Sequence, residues 1–138
     1  MSINEPISTI MTRDVITVDA SDTIREVFNV FAQIKIRHVP VLEDRALVGI
    51  ISHSDIAGLS QDASDTDFSK VDSLLDVMTV KQLMKGNPVT LPVHHTIKQA
   101  ADIFLQGHFH ALPVTDHNEL VGIVTTTDLI KYMIRLSD

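Results

Sequence analysis

Shifted against itself by 73 residues, the separation of Met11 from Met84, the sequence repeats without a gap. Thr17 falls on Thr90, Thr23-Ile24 on Thr96-Ile97, Phe31 on Phe104 and Pro40-Val41 on Pro113-Val114. Leu47-Val48-Gly49-Ile50 falls on Leu120-Val121-Gly122-Ile123, and Asp55 on Asp128. Any two α/β segments share apolar periodicity, but they do not share Pro, Gly and Asp positions in one register. The chain therefore carries two copies of one supersecondary unit, which limits it to architectures built from two similar halves.

Each copy opens with a short apolar helical turn, Ile7 to Met11 and Val80 to Met84, and a small strand near Val15–Val18 and Val89–Leu91. A helix follows. Ser21 or Asp22 is placed to cap the first, and Ile24, Val27, Phe28 and Phe31 recur at helical spacing, as do Ile97, Ala100, Ala101 and Phe104. Gly107 is expected to end the second helix in a left-handed conformation. Val39–Leu42 and Ala111–Thr115 read as strands, joined by the polar turns at Glu43-Asp44-Arg45 and 116–119 to Leu47–Ile51 and Leu120–Val124. A last helix starts after Ser52 and after Thr125, the second running on through Leu129, Ile130, Met133 and Ile134 at core-facing spacing.

The expected fold is α/β (α+β), two β-α-β-β-α repeats packed with pseudo-twofold symmetry as one module and sharing a core. Repeat one spans 7–57, an acidic Ser/Asp-rich linker 58–79, and repeat two 80–136. The stretch from Gly58 to Ser73 is expected to be exposed. Its Asp62, Asp65 and Asp67 are not followed by the Gly and bidentate Glu of an EF-hand, which argues against calcium.

Composition narrows the function. Eighteen acids against eleven bases give a net charge of −7, and no segment clusters Lys and Arg, so a nucleic-acid backbone would be repelled. With 4% aromatic residues and no Trp, stacking platforms for single strands are missing too. Zero Cys fits a reducing compartment. No apolar run reaches the roughly 18 residues of a membrane span, and Met1–Pro6 has no positive flank, so a soluble cytoplasmic protein is expected. No Walker loop, nucleophile elbow or Gly-x-Gly-x-x-Gly is present, so no enzyme is expected. Neither His94-His95 nor His108-x-His110 has the spacing of a helical zinc pair, and no metal is expected.

The chemically suggestive match is Gly49-Ile50-Ile51-Ser52-His53-Ser54-Asp55 against Gly122-Ile123-Val124-Thr125-Thr126-Thr127-Asp128. Each copy puts a hydroxyl three residues before a carboxylate where a strand hands over to a helix. That is a helix-capping signature. A helix N-terminus also suits a phosphate, and a carboxylate there can accept bonds from both hydroxyls of a ribose.

The pattern of a Thr-Ile helix start, a Pro-Val strand and Leu-Val-Gly-Ile-h-(Ser/Thr)-x-x-Asp, where h is apolar, resembles the CBS domain, named from cystathionine β-synthase. The resemblance covers Ile7 to about Ala57 and Val80 to about Leu136. It implies a Bateman module that binds AMP, ADP, ATP or S-adenosylmethionine between its repeats as a regulatory energy or metabolite sensor, with homodimerisation and a regulated protein partner. No cofactor, nucleic acid or membrane is implied. Carried over, one site takes Thr125 and Asp128 with Val15, Ile16, Ile36, Arg37 and His38. The other takes Ser52 and Asp55 with Pro88, Val89, Phe109, His110 and Ala111. Asp takes the ribose, Ser or Thr the phosphate or sugar, the apolar residues the adenine, and Arg37 and His110 the phosphate charge. Pro88 opposite Val15 and Phe109 opposite Ile36 make the two sites unequal. The alternative is a ligand-independent dimerisation or interaction module whose hydroxyl-x-x-Asp motifs only cap helices.

Overall fold

The protein is described by a computed structural model covering residues 2–62 and 68–137. The chain divides into two compact units that do not coincide with its sequence repeats. One unit joins residues 1–15 to 89–138, and the other is the continuous stretch 16–88.

In the continuous unit, β1 (Val18–Asp19), α1 (Ile24–Gln33), β2 (His38–Glu43), β3 (Ala46–Ser52) and α2 (His53–Asp62) come from the first repeat. They are completed by α3 (Phe68–Val77), α4 (Val80–Leu83) and β4 (Lys85–Gly86). The sheet order is β1-β2-β3-β4, with β1 parallel to β2 and the other pairs antiparallel. The divided unit contains a 3-10 turn at Ile7–Thr9, then β5 (Leu91–Pro92), α5 (Ile97–Gln106), β6 (Ala111–Asp116), β7 (Glu119–Thr125) and α6 (Thr126–Leu136). Its sheet order is β5-β6-β7, and an antiparallel bridge from Thr12 to Ile123 extends it as Lys85 opposite Ile50 does in the other unit.

The β1–β2 and β2–β3 registers have their counterparts 73 residues on, in β5–β6 and β6–β7. Val18 pairs with Val41 as Leu91 pairs with Val114, and both hairpins carry an irregularity at the same place, after Val41 and after Val114. The hairpin turns are two residues long. Asp44 and Arg45 have φ of 51° and 68°, and His117 and Asn118 have 50° and 66°. Two successive positive φ values match the right-handed strand twist, and this is why polar Asp and Asn fall there.

The repeated glycines are explained by what crosses them. A Cβ on Gly49 would overlap Met84 Sδ and come within 2.9 Å of the Lys85 carbonyl, while one on Gly122 would overlap Met11 Sδ and come within 3.0 Å of the Thr12 carbonyl. The lead-in of each repeat thus lies against the glycine strand of the other repeat's sequence. Apolar side chains form one cluster per unit, where a single shared core was expected. Ile24, Val27, Val39, Val41, Ile51 and Val80 anchor one, and Ile7, Leu91, Ile97, Leu112, Val114 and Val124 the other.

Several expectations are corrected. The first strands start later than expected, at Val18 and Leu91, leaving Val15 and Val89 outside them. Thr23 is the N-cap of α1 and makes no side-chain cap bond. Ser21 and Asp22 are held in the preceding turn instead, where Asp19 Oδ1 accepts from Ser21 and Asp22 Oδ2 accepts from the Asp19 N–H. Gly107 does end α5, but with extended backbone (φ −111°, ψ 176°); its missing side chain makes room for the Phe109 ring. The acidic stretch expected to be an exposed linker is helical over its described residues, in the end of α2 and in α3, where Leu75 is buried. Asp65 and Asp67 lie outside the described residues. Finally, Phe28 on α1 and Ile130, Met133 and Ile134 on α6 are exposed, because α6 turns Leu129 and Tyr132 inward instead.

Candidate functional site: the two strand-to-helix corners

The sequence places a hydroxyl and a carboxylate where β3 enters α2 and where β7 enters α6, and both pairs close reciprocal capping boxes. At the first corner the Ser52 N–H donates to Asp55 Oδ2 at 2.8 Å, and the Asp55 N–H donates to Ser52 Oγ at 3.2 Å. At the second, the Thr125 N–H and hydroxyl donate to Asp128 Oδ2 at 2.8 and 3.1 Å, and the Asp128 N–H donates to Thr125 Oγ1 at 3.3 Å. Capping therefore engages Oδ2 at each corner and fixes the side chain, leaving Oδ1 outside the cap.

The corners differ at that second oxygen. Lys85, at the end of the chain segment crossing Gly49, brings its Nζ within 3.5 Å of Asp55 Oδ1. Its repeat counterpart is Thr12, and among the described residues no cation pairs with Asp128. Lys85 was not singled out from the sequence. The signal available was the mismatch of Lys with Thr inside an otherwise close register, but only the chain crossing shows which carboxylate it meets.

Each corner also has a neighbouring strand entrance from its own unit. The Arg37 carbonyl accepts from the His53 N–H at 2.8 Å and His38 pairs with Ser52; likewise the His110 carbonyl accepts from the Thr126 N–H at 2.9 Å and Ala111 pairs with Thr125. Arg37 and His110 are exposed and Ile36 half-buried. Of the first expected set, Ile16, Ile36, Arg37 and His38 belong to the continuous unit, and Val15, Thr125 and Asp128 to the divided one. Of the second, Ser52, Asp55 and Pro88 belong to the continuous unit, and Val89, Phe109, His110 and Ala111 to the divided one. Within a unit, the structure thus brings Ile36, Arg37 and His38 beside Ser52 and Asp55, and Phe109, His110 and Ala111 beside Thr125 and Asp128. Phe109 turns its ring toward Phe104, with centroids 6.4 Å apart, and packs on the apolar cluster.

No group of three or more His, Cys, Asp or Glu side chains among the described residues is arranged to hold a metal ion. Among them, too, no helix is long and apolar enough to cross a membrane.

Two sheets with the same strand registers, each running into a helix capped by a hydroxyl-x-x-Asp, define a tandem-repeat α+β module. The family model of the CBS domain matches residues 7–62 and again 80–135, and the chain belongs to that family. It is 34% identical over 119 residues to the CBS domain-containing protein YhcV of Bacillus subtilis, covering 86% of this chain and 79% of that one. Other curated relatives are longer: the chain spans 22% of the inosine-5'-monophosphate dehydrogenase of Korarchaeum cryptofilum, at 32% identity over 118 residues. Among solved structures, CBSX2 in complex with AMP superposes with a TM-score of 0.82 at 23% identity, covering 97% of this chain and 99% of that one. The CBS domain pair of protein MJ0100, solved with 5'-methylthioadenosine and S-adenosyl-L-methionine, gives a TM-score of 0.78 at 23% identity, covering 93% of this chain and 98% of that one. These likenesses show the fold.

Proposed function

We propose that the chain is a regulatory module that binds an adenosyl ligand, AMP, ADP, ATP or S-adenosylmethionine, and works as an energy or metabolite sensor without turning the ligand over. The observation that carries this reading is the twice-built corner in which Asp55 and Asp128 are fixed by capping through Oδ2, with Oδ1 as the acceptor proposed for ribose hydroxyls. Solved relatives of the same fold hold AMP or adenosyl compounds, as their names say. Ser52 and Thr125 supply hydroxyls beside a helix N-terminus, and Arg37 and His110 are exposed at the neighbouring strand entrances, where phosphate charge can be met. The absence of Cys suits a reducing cytoplasm.

Thermal unfolding with each of the four ligands is the test. Binding to the native state raises the melting temperature with ligand concentration. At saturating ligand, about 100 times its dissociation constant, the gain is about 2.7 kcal/mol. Asp55→Ala with Asp128→Ala is expected to abolish the shift. A shift that survives the double variant refutes the residue assignment, and no shift with any ligand refutes the reading.

One observation favours a second reading, a ligand-independent homodimerisation or protein-interaction module: both corners are already satisfied as caps, while α6 exposes Ile130, Met133 and Ile134. On that reading the wild-type protein assembles through α6 and shows no ligand shift.

A further inference from the structure

The continuous unit contains a cavity of about 790 Å³ bounded by α1, α2 and α3. Phe28 and Phe31 of α1, Ile56 and Ala57 of α2, and Val71 and Leu75 of α3 make its walls, with Arg25 and Asp72 at the α1–α3 edge. Ala32 and the His53 ring line it as well, whereas Ser52, Asp55, Thr125 and Asp128 do not. We propose that this cavity is a second binding site, for a small apolar molecule that is uncharged or cationic.

Its size and lining are those of small-molecule pockets, which run to roughly 300–1,000 Å³ and pair apolar walls with a few polar groups. Leu75 is buried at the base of α3, while Arg25 holds that helix from α1, its Nε donating to Asp76 Oδ1 at 3.0 Å and its Nη2 to the Asp72 carbonyl at 3.0 Å. Phe28, on the cavity wall, is left 42% exposed. A ligand would remove that ring from water.

Charge selects the ligand class. Arg25 is a single cation facing two carboxylates, Asp72 and Asp76, both ion-paired to it, so that edge keeps a net negative charge. An anionic headgroup is repelled there, whereas a neutral or cationic one is not. Phe28 and Phe31, with the His53 ring edge-on to Phe31 at 5.7 Å, offer aromatic surface to a flat ring or a cation.

The third wall has no counterpart in the divided unit among the described residues. Most of α3, Phe68–Val77, falls between the two stretches matched by the family model, 7–62 and 80–135. In the divided unit, the position of Ala32 is taken by Leu105, which stands 84% exposed with no helix over it among the described residues.

The test uses the full chain and two dyes of one ring framework, uncharged N-phenylnaphthylamine and anionic anilinonaphthalene sulfonate. The uncharged dye is expected to bind saturably, one per chain, and the sulfonate at least about tenfold more weakly, a difference of about 1.4 kcal/mol. Ala32→Trp, a change at an exposed wall position, is expected to fill the cavity and weaken the uncharged dye about tenfold or more. The same variant should keep its melting temperature and any adenosyl-ligand shift, which separates this proposal from the function proposed above. Leu105→Ser, on α5, should bind the dye like the wild type. Equal binding of both dyes, or full binding by the Ala32→Trp variant, overturns the proposal. Dye binding that appears only on dilution to monomer also overturns it, because a second copy of the chain then occupies the cavity.

Discussion

At Gly49 and Gly122 the side chain is excluded by atoms that lie far away in sequence. Met84 and Lys85 cross the first and Met11 and Thr12 the second, and in each case a backbone carbonyl sits within about 3 Å of the missing Cβ. Gly122→Ala is expected to cost about 1–3 kcal/mol by overpacking, measured by denaturant unfolding. Adding Met11→Ala should recover little of it, because the Thr12 carbonyl cannot rotate away as a thioether can. Tyr132 offers a second reading at this scale. Its single O–H faces two acceptors, Glu5 Oε2 at 2.6 Å and the Ser2 carbonyl at 2.8 Å, tying α6 to residues 2–5. Desolvation, then the Glu5 hydrogen bond, holds the phenol above its usual titration range, and the same bond, with one from Ser2, holds Glu5 below the carboxylate range. A raised phenol pKa gives stability that is present below the unfolded value, near 10, and lost as pH climbs through the folded one. A lowered carboxylate pKa gives stability present above the unfolded value and lost as pH falls through the folded one. Tyr132 is the chain's one Tyr and there is no Trp, so phenolate absorbance reports it alone. Its midpoint should lie above the ordinary value in the wild type and fall toward it in the Glu5→Ala variant. The repeated Gly and Asp could be picked out by register alone, whereas Tyr132 and Lys85 could not, since their partners lie 127 residues away and across the chain crossing.

At the level of elements, strands were the easiest to read, because alternation and a paired Pro-Val and Leu-Val-Gly-Ile repeat twice. Helix faces were harder. On α6 Leu129 packs inward as expected, but the rest of the inward face is Tyr132, while Ile130, Met133 and Ile134 stay out. A polar-looking phenol was the better core residue because Glu5 and Ser2 satisfy its hydroxyl. The helix α3 was missed because its Ser/Asp-rich composition resembles a linker, and its placement depends on tertiary contacts with α1. Leu75→Ala is expected to destabilise by about 2–5 kcal/mol in denaturant unfolding. Arg25→Ala should act more locally, raising amide hydrogen exchange in α3 while leaving β2 and β3 protected, as expected for an element held by few attachments.

For the whole molecule, the exposed stripe on α6 is a surface a second copy can cover, and the homodimer of the second reading is tested there. Ile130→Glu with Ile134→Glu should give monomer by sedimentation and leave the melting temperature of the monomer nearly unchanged, since both side chains are already more than half exposed. Duplication was plain in the sequence, but the way the copies share chain was not. Residues 1–15 complete the unit made by 89–138, and 78–88 contribute α4 and β4 to the unit made by the first repeat. That arrangement sets an order on the ribosome, where chains emerge at roughly 5–20 residues per second. The continuous unit has all its parts once residue 88 is out, although it began second. Ile7 and Met11, synthesised before it, have no core to enter until β7 appears, and through that interval the nascent chain presents those apolar side chains to whatever chaperone attends the exit tunnel.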